Sequence, residues 1–551
     1  MSSAPDADEE YDYIVVGAGS AGAVLAARLS EDPATRVLLL EAGPRDRSFW
    51  IHLPIGYAKT MWSPNYNWCF HTDPDPHMNG RRIYWPRGKT LGGSSSINGL
   101  IYIRGQRQDF DHWAALGNPG WGFDDVLPYF LRAEGNQRGN SALHSGQGPL
   151  KVSDIGARHE LIEAFIAAAQ QCGVPRNEDF NGATQEGAGY YQLNTHRGWR
   201  CSSAKAYLAP ARRRANLHVR TQALATGVLL QGRRAVGVRY RQGGQSGVVR
   251  QARARAEVLL AAGAIQSPQL LQLSGIGPPA LLQKHGINVV QALGGVGENL
   301  QDHLQMRLSY ECTQPITNND QLRTLWGRAR LGLQWLLLRS GPLAVGINQG
   351  GCFMRALPQE SQRPDIQFHV ATLSADMAGG APHPWPGFTL SVCQLRPQSR
   401  GRVQIVSADP TQPPSMLANY LSTDLDRRTA VAAVKAARAM ARAPALQPYV
   451  KREIKPGPEV DDSDDALLAF CRDAGVTIFH PSGTCKMGKL GKMGSDDAAV
   501  VDARLRVHGI QALRVVDCSV MPTLVSGNTH AAAVMMAEKA VDMIRQDARG
   551  P

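Results

Sequence analysis

Residues 13–22 read Tyr-Ile-Val-Val-Gly-Ala-Gly-Ser-Ala-Gly, a short apolar run that passes directly into a G-x-G-x-x-G turn, and residues 23–29 continue as a mostly apolar, helix-like segment. In this arrangement Gly17 makes the tight turn, Gly19 lets the backbone approach a pyrophosphate, and Gly22 lets the helix pack close to the strand. The free N–H groups at the start of the helix then attract the phosphate charge. The stretch therefore predicts a strand, a turn and a helix that together bind a dinucleotide.

A second apolar strand, Val37–Leu40, runs into an acidic residue, Glu41, about 20 residues past the last glycine of the turn. A carboxylate at this position accepts hydrogen bonds from the hydroxyls of an adenosine ribose that carries no 2′-phosphate. The strand, the turn and the acid together predict that the chain binds FAD or NAD near its N-terminus. An ordinary glycine-rich turn is the alternative interpretation.

The bulk composition is that of a large globular enzyme, with 551 residues, 43% of them hydrophobic and 19% charged. No apolar stretch reaches the length that crosses a bilayer. The acidic segment 1–10 lacks the apolar core of a secretory signal, so we expect a disordered tail there. Nine cysteines are scattered without ligand-like spacing, which indicates reduced thiols, a cytoplasmic location and no metal site.

The net charge of +12 raises the question of an anionic partner. Basic residues concentrate at 197–220, which includes Arg212, Arg213 and Arg214, and again at Arg81. Nucleic-acid-binding patches interleave such residues with aromatic side chains, whereas here they lie among Ala, Leu and Pro. We therefore expect a solvated basic surface and no nucleic acid, with weak attachment to the inner membrane face as the alternative.

A second glycine-rich segment, residues 87–99, places Gly92 and Gly93 directly before three serines. Small residues let backbone amides reach a ligand, and the serine hydroxyls can add hydrogen bonds. A flexible linker is the alternative, but the flanking Leu91 and Ile97 favour a buried loop.

Apolar patterns predict further elements along the chain, and from about residue 304 to 474 the character changes to mixed strands and helices that we interpret as a separate domain. The predicted elements are a helix over 160–172, a hairpin over 217–240, a strand over 258–261 leading into the segment 263–277, a helix over 331–338 and a strand over 388–392.

The glycine turn, the loop that ends at Asn98 and the segment Gly263–Gly277 occur in an order that resembles the glucose–methanol–choline (GMC) oxidoreductases. The similarity runs from about Tyr13 to Ile544. Further stretches that carry it are Gly294–His303 and Leu513–Asp517, and those similar in style to the bacterial choline dehydrogenase and primary-alcohol dehydrogenase branch are His480–Gly488 and Leu395–Gly401.

The resemblance implies an α/β fold, α+β overall, in which a Rossmann-like FAD-binding domain joins a substrate domain with an antiparallel sheet flanked by helices. The FAD-binding domain is expected to be discontinuous. The expected division is 11–155, 217–303 and 475–546 for the FAD-binding domain, 156–216 and 304–474 for the substrate-binding domain, and 1–10 for the tail.

The resemblance also implies FAD, with the pyrophosphate at the Gly17 turn, the adenosine ribose at Glu41 and Asp517 at the flavin end. Some relatives link FAD covalently through a histidine in the glycine-serine loop, where this chain has Ile97, so we expect FAD to be bound without a covalent bond. The residues expected to contact FAD are Gly17, Gly19, Ser20, Ala21, Gly22, Glu41, Ala42, Arg87, Leu91, Gly92, Gly93, Ser95, Asn98, Gly99, Leu100, Ile101, Ala225, Gly263, Asp517, Cys518, Thr529 and His530.

Alcohol oxidation by a flavin needs a base for the hydroxyl proton, because the flavin N5 atom serves as the hydride acceptor. His480 matches the family's catalytic histidine motif and is the expected base. The second candidate is His530, in the first turn of a helix capped by Asn528 or Thr529, whose positive end would stabilise the reduced flavin. By the resemblance, choline dehydrogenases carry asparagine at the His530 position, whereas histidine there is similar to aryl-alcohol oxidase and glucose oxidase. A capping residue without a catalytic task is the alternative for His530.

The sequence thus predicts FAD-dependent oxidation of a primary alcohol, aliphatic, benzylic or furanic, to the aldehyde, with electrons passing to a quinone-type acceptor. Residues 477–480 resemble the aryl-alcohol oxidase version of this segment, which keeps an oxidase that releases hydrogen peroxide as an alternative. Choline dehydrogenase is another. A redox-inactive flavoprotein or an NAD-dependent dehydrogenase fits less well, because both histidines and the C-terminal motifs are present.

Overall fold

A computed structural model describes residues 9–156, 158–244, 246–377, 379–490 and 498–550. The strands are, in chain order, β1 (Glu9–Val16), β2 (Val37–Leu40), β3 (Phe70–His71), β4 (Tyr84–Trp85), β5 (Glu134–Asn136), β6 (Leu150–Val152), β7 (Gly187–Tyr190), β8 (Thr195–His196), β9 (Trp199–Arg200), β10 (Leu217–Arg220), β11 (Ala223–Gln231), β12 (Arg234–Gln242), β13 (Val248–Leu260), β14 (Ile276–Gly277), β15 (Gln291–Ala292), β16 (Leu304–Cys312), β17 (Asn348–Met354), β18 (Ile366–Ala371), β19 (Gly387–Gln394), β20 (Arg402–Gln404), β21 (Ser415–Leu417), β22 (Val450–Lys455), β23 (Val476–Thr477) and β24 (Leu513–Val515). The helices are α1 (Ser20–Leu29), α2 (Phe49–His52), α3 (Tyr57–Thr60), α4 (Arg107–Ala115), α5 (Phe123–Ala133), α6 (Glu160–Gln171), α7 (Ala209–Ala211), α8 (Gly263–Leu273), α9 (Pro279–Lys284), α10 (Asn318–Arg323), α11 (Leu325–Leu338), α12 (Asp424–Arg442), α13 (Asp464–Ala474) and α14 (His530–Arg549).

The first sheet has a parallel core in the order β10, β2, β1, β13 and β24. The strand β2 and the second half of β1, Tyr13–Val16, are apolar and buried, as expected for parallel strands covered on both faces. Helices α1 and α14 pack against each other beside this sheet. The predicted Rossmann-like, mixed α/β fold is confirmed, and the carboxyl ends of β1, β13 and β24 meet at one edge.

The second sheet runs β22, β16, β19, β18, β17 and β7, with every neighbouring pair antiparallel. Alternate residues of a strand face opposite sides, so one side of this sheet carries Met306, Leu308 and Phe368 into an apolar core that helices α6 and α12 cover. The other side carries Gln305 and Arg307 towards the first sheet. The predicted antiparallel sheet flanked by helices is therefore present.

Two predicted boundaries need correction. Glu9 and Glu10 belong to β1 and not to the tail predicted over 1–10, and they lie beside Ala252 and Arg253 of β13. An ion pair between Glu9 and Arg220 holds this end of the strand. Residues 1–8 of that expected tail lie outside the described residues.

The hairpin predicted over 217–240 is also only partly correct. Its first segment, β10, pairs in parallel with β2, and the hairpin itself consists of β11 and β12. Gln222, between β10 and β11, has a positive φ of 54°, which turns the chain out of the parallel strand and into the hairpin. The helix predicted over 331–338 lies within α11, and the strand predicted over 388–392 lies within β19. The helix predicted over 160–172 corresponds to α6, and the strand predicted over 258–261 overlaps β13; each predicted range extends one residue beyond the end of its element.

Helix α14 begins at His530, as predicted, and its first turns are buried. Thr529 occupies the cap position, but neither its side chain nor that of Asn528 makes the expected capping hydrogen bond. Within the part of the chain that the structure describes, no helix is both long and apolar enough to cross a membrane.

Candidate active site

A cavity of about 500 Å³ lies between the carboxyl edge of the first sheet and the polar face of the second. Glycine-rich backbone forms its first wall, and side chains of β16, β18 and β19 form the opposite wall. The predicted site residues that line it are Gly17, Gly19, Ser20, Ala21, Glu41, Ala42, Arg87, Gly93, Ser95, Asn98, Gly99, Leu100, Ile101, Ala225, Gly263, His480, Asp517, Cys518, Thr529 and His530.

Three residues predicted to contact the cofactor lie behind the cavity wall instead. A Cβ atom at Gly22 would lie 1.8 Å from the carbonyl oxygen of Gly17, so Gly22 is required for the close packing of helix on strand. Gly92 has a φ of 86°, and its N–H donates to the carbonyl oxygen of Ala18 at 2.7 Å. Leu91 is buried beside it. These residues shape the wall and do not line the cavity.

The N-terminus of α1 faces the cavity through Gly19, Ser20 and Ala21. The first N–H groups of a helix have no partner within it, and no acidic side chain lies in the first turn of α1. A Cβ atom at Gly19 would meet Gly93 Cα at 3.9 Å and nothing closer, so the space beside Gly19 belongs to the cavity. This end of the cavity suits a phosphate group.

Glu41 lies at the same end, with its side chain buried against the wall. Its two carboxylate oxygens accept hydrogen bonds from the N–H groups of Ala18 (3.0 Å) and Gly43 (2.9 Å), which fix its orientation. Burial raises the pKa of Glu41 to about 7, against the effect of these two hydrogen bonds. The carboxyl group is thus held in place for hydroxyl groups of a ribose.

Asp517 follows β24 and joins the strand ends together. One carboxylate oxygen accepts from the N–H of Gly263 (2.9 Å) and the hydroxyl of Ser267 (2.6 Å), and the other accepts from the N–H of Ser519 (2.8 Å). The dinucleotide FAD fits this arrangement. The N-terminus of α1 suits its phosphates, the carboxyl group of Glu41 suits its ribose, and the glycine-rich backbone leaves room for it.

His480 is held in a constrained loop at the other end of the cavity. The preceding residue, Phe479, has a φ of 73°, a backbone conformation that bulky residues rarely adopt. Arg87 donates to the Phe479 carbonyl oxygen at 2.7 Å, and the His480 N–H donates to the carboxylate of Asp302 at 2.7 Å. These contacts compensate the strain and fix the imidazole of His480 at the cavity wall.

A second histidine sets the tautomer of His480. His303 Nε2 lies 2.9 Å from the carbonyl oxygen of Leu395, which can only accept, so His303 carries its proton on Nε2. His303 Nδ1 is then an acceptor, and His480 Nδ1, at 2.9 Å, must donate to it. Burial lowers the pKa of His303 to about 4 and that of His480 well below 6.5, so both are neutral. The lone pair of His480 is therefore on Nε2.

Asn528 is the side chain that meets this lone pair. Its Nδ2 lies 3.4 Å from His480 Nε2, and its Oδ1 accepts from Gln367 Nε2 at 3.2 Å. Gln367 Nε2 also donates to the hydroxyl of Tyr191 at 2.9 Å. The chain of hydrogen bonds fixes the direction of the Asn528 amide, with its N–H groups towards His480 and the cavity.

The predicted pairing of His480 with His530 needs correction. His530 Nδ1 donates to Asn194 Oδ1 at 3.1 Å, and His530 Nε2 lies 3.1 Å from the hydroxyl of Ser203 and accepts from it. Burial lowers the pKa of His530 to about 4. His530 lines the cavity, but protein groups occupy both of its nitrogens, and the residue that meets His480 is Asn528.

Sequence reasoning gave no role at the site to His303, Asn528 or Arg307, although it named Asn528 as a possible helix cap. His303 closes the motif Gly294–His303, and Asn528 lies two residues before His530, so both stood in stretches that the sequence had already singled out. The third, Arg307, gave no signal beyond its place in the predicted separate domain.

Comparison with known proteins gives consistent matches. Family models described as GMC oxidoreductase match residues 11–305 and 397–537. A curated relative, the oxygen-dependent choline dehydrogenase of Yersinia pseudotuberculosis serotype O:1b (strain IP 31758), is 47% identical over 543 residues, which cover 97% of this chain and 94% of the relative.

Solved structures match over nearly the whole chain as well. Pyridoxine 4-oxidase from Mesorbium loti superposes with a TM-score of 0.86 at 32% identity, covering 98% of this chain and 100% of that structure. A variant of formate oxidase from Aspergillus oryzae RIB40 superposes with a TM-score of 0.90 at 26% identity, covering 98% and 99%.

Proposed function

The chain belongs to the GMC oxidoreductase family, and from this premise we propose that it oxidises a primary alcohol to the aldehyde with His480 Nε2 as the base. As a member of that family it is an FAD-dependent oxidoreductase that acts on CH–OH donors. When bound, FAD supplies the hydride acceptor. The observation that carries the proposal is the hydrogen bond between His303 and His480, which leaves an unprotonated Nε2 facing the cavity.

Two residues act on the hydroxyl group of the substrate, His480 as the base and Asn528 as a hydrogen-bond donor. His480 Nε2 accepts the hydroxyl proton, and the carbonyl oxygen of Leu395, through His303, holds the imidazole in the required tautomer. Asn528 Nδ2 can donate a hydrogen bond to the substrate oxygen as that oxygen gains negative charge. The experiment that tests the function is anaerobic mixing of the purified holoenzyme with aliphatic, benzylic and furanic primary alcohols. Loss of the oxidised flavin absorbance supports it, and no loss with any alcohol contradicts it.

Replacing Asn528 is expected to cost more activity than replacing His530. Asn528→Ala removes the donor next to His480 and is expected to lower kcat/KM by about 10–100-fold, the worth of a hydrogen bond to a developing charge. His530→Gln can still donate to Asn194 and accept from Ser203, so we expect less than about a threefold change and an unmoved pH profile. Steady-state kinetics at equal FAD content provide the measurement. The opposite ranking would return His530 to the catalytic pair.

We propose that the electrons pass to a quinone in a membrane, because helix α11 exposes an unusual apolar face. Trp326 is 79% exposed, Leu333 56% and Leu337 68%, whereas Leu331 and Trp335 on the opposite side are buried. Residues three, four and seven apart share one face of a helix, so Trp326, Leu333 and Leu337 lie on one exposed face, together with Arg330. The stripe of these three apolar side chains faces solvent in the isolated chain.

Charge complementarity identifies the surface that this stripe fits. Helix α11 contains no acidic residue, and Arg328 and Arg330 are exposed on it, with Arg323 just before it. An apolar stripe with tryptophan and flanking arginines is typical of a helix that lies in the interface of an anionic bilayer. The occupant that we propose for this face is therefore an anionic lipid surface.

Removing the apolar stripe is expected to release the protein from membranes without affecting its chemistry. The triple variant Trp326→Gln, Leu333→Gln and Leu337→Gln should lose co-sedimentation with phosphatidylglycerol-containing vesicles and keep its turnover with a soluble dye acceptor. Val248→Gln with Val249→Gln, which replaces exposed apolar residues of β13, is the matched control and should still co-sediment. Equal co-sedimentation of the triple variant and the wild type would contradict the proposed surface.

Oxygen is the competing acceptor, since the Yersinia relative is named as oxygen-dependent and the solved neighbours are named as oxidases. Hydrogen peroxide released under air, compared with quinone reduction without oxygen, separates the two acceptors. The choline named for the relative is the competing substrate. The intact hydrogen-bonded set around His480 gives no support to a redox-inactive flavoprotein. The domain division, the cytoplasmic location and the non-covalent attachment of FAD stay predictions.

A further inference from the structure

Arg307 lies in the middle of β16, on the face of the second sheet that lines the cavity. Its neighbour across the ladder is Ser391 of β19, and Ser391 in turn lies beside His369 of β18. All three line the cavity. The residues on either side of Arg307, Met306 and Leu308, point into the apolar core instead. The guanidinium is thus part of the cavity wall by the alternation of the strand.

The guanidinium of Arg307 has no hydrogen bond or ion pair with any residue in the part of the chain that the structure describes. Lys455 is a second cation near Arg307, because burial and the charges of Arg307 and Arg81 lower the pKa of Lys455, while the charge of Asp376 opposes them. The hydroxyl of Tyr57 accepts from the N–H of Ile347 at 3.2 Å and keeps its own proton for another partner. A desolvated cation without a counter-charge is unfavourable until an anion pairs with it.

The carboxylates of the described cavity lining make no ion pair with Arg307. Among the described lining residues these are Glu41, beside the glycine turn, and Asp517, which accepts three hydrogen bonds from its own strand-end segments. The lining also carries two arginines, Arg87, which donates to the carbonyl oxygen of Phe479 next to His480, and Arg307 on β16. A quaternary ammonium group such as that of choline would therefore meet a positive charge here and no anion.

We propose that the substrate is an alcohol that also bears a carboxylate, which Arg307 binds with help from the Tyr57 hydroxyl while the CH–OH group meets His480. This inference rests on the proposed function and adds the substrate class. A planar guanidinium pairs with a carboxylate through two parallel hydrogen bonds. Leu304 of β16 pairs with Thr477, three residues before His480, and Arg307 lies three residues farther along β16, roughly 10 Å at the rise of a strand. The anionic group is therefore separated by a spacer from the carbon that is oxidised.

Binding of non-oxidisable analogues tests the charge preference without turnover. We would titrate the holoenzyme with p-toluate, p-toluamide, p-tolyl phosphate and p-tolyltrimethylammonium and follow the perturbation of the flavin spectrum. Hexanoate and hexanamide repeat the comparison with an aliphatic spacer. We expect the carboxylate of at least one pair to bind about 10–100-fold more tightly than its amide. A phosphate that binds more tightly than the carboxylate, or no carboxylate preference in either pair, would overturn the proposal.

Variants assign the preference to this residue. Arg307→Ala should abolish the preference for the carboxylate, and Arg307→Lys should keep part of it, because an ammonium retains the charge but not the paired geometry. Arg213→Ala, which removes an exposed arginine, is the charge-matched control and should leave the preference intact. A preference that survives in Arg307→Ala would assign the carboxylate to another residue and overturn the proposal.

Turnover distinguishes failure of this inference from failure of the proposed function. With p-(hydroxymethyl)benzoate, p-methylbenzyl alcohol and choline, we expect flavin reduction in that order of kcat/KM. Reduction by the neutral alcohol at an equal or higher kcat/KM than the acid would overturn the carboxylate proposal and leave alcohol oxidation standing. Reduction by choline alone would overturn the carboxylate proposal in favour of the competing substrate, and reduction by none would overturn the proposed function itself.

Discussion

His480→Ala is expected to lower kcat by roughly 10²–10⁴-fold, the usual worth of a positioned general base, while the protein keeps its FAD. The reason is that Nε2 of His480 carries the lone pair that faces the cavity, and the contacts of His480 are with His303, Asp302 and Asn528. The residues that fit the pyrophosphate and the ribose lie at the other end. Steady-state kinetics with a dye acceptor, together with the flavin content from the visible spectrum, provide the measurement.

His112→Ala is the matched control for this experiment, because His112 is an exposed histidine of α4. We expect it to leave both kcat and FAD content near wild-type values. Turnover of His480→Ala within about threefold of the wild type would remove His480 from the proposed chemistry.

Gly19→Val is expected to abolish FAD binding and, with it, all turnover. The backbone of Gly19 is extended, with a negative φ of −75°, and the nearest protein atom to an added Cβ is 3.9 Å away. The fold should therefore tolerate the side chain. The valine would occupy the space beside the N-terminus of α1, which the pyrophosphate needs. Purification of a folded, colourless protein with an unchanged circular dichroism spectrum is the expected result.

Gly156→Val is the control, since Gly156 is exposed and an added Cβ there meets nothing within 4 Å. It should be as yellow as the wild type. Full flavin occupancy in Gly19→Val would contradict the placement of the pyrophosphate. Acid precipitation of the same wild-type preparation should release all of the colour into the supernatant if FAD is held without a covalent bond.

The glycine turn could be predicted from sequence because each of its requirements is local. Gly17 has a φ of 97°, and a Cβ on it would lie 2.5 Å from the carbonyl oxygen of Ala261, so the position tolerates only glycine. The apolar run before the turn forms a buried strand because burial removes its apolar side chains from water. The start of β1 at Glu9 could not be predicted in this way, because it is supported by an ion pair with Arg220, which is far away in the sequence.

The active end of the cavity depends on contacts that a single sequence does not show. The sequence identifies the loop of His480, but the tautomer of that histidine is set by His303, which is 177 residues away in the chain. It favours His530 over Asn528 because a histidine suggests proton transfer. In the folded chain, however, His530 forms hydrogen bonds with Asn194 and Ser203, and Asn528 forms one with His480. Proximity in the sequence could not decide between them.

The pH dependence of anaerobic flavin reduction tests the role of His480 as a neutral base most directly. Protonation of Nε2 blocks the base, so the rate constant should stay level as the pH falls to 6.5 and then decrease about tenfold per pH unit below a lower apparent pKa, since burial depresses the pKa of His480 well below 6.5. In His480→Ala the rate constant should be far lower and this decrease should be absent. The same decrease in His480→Ala, or a decrease that begins above pH 6.5 in the wild type, would contradict the account.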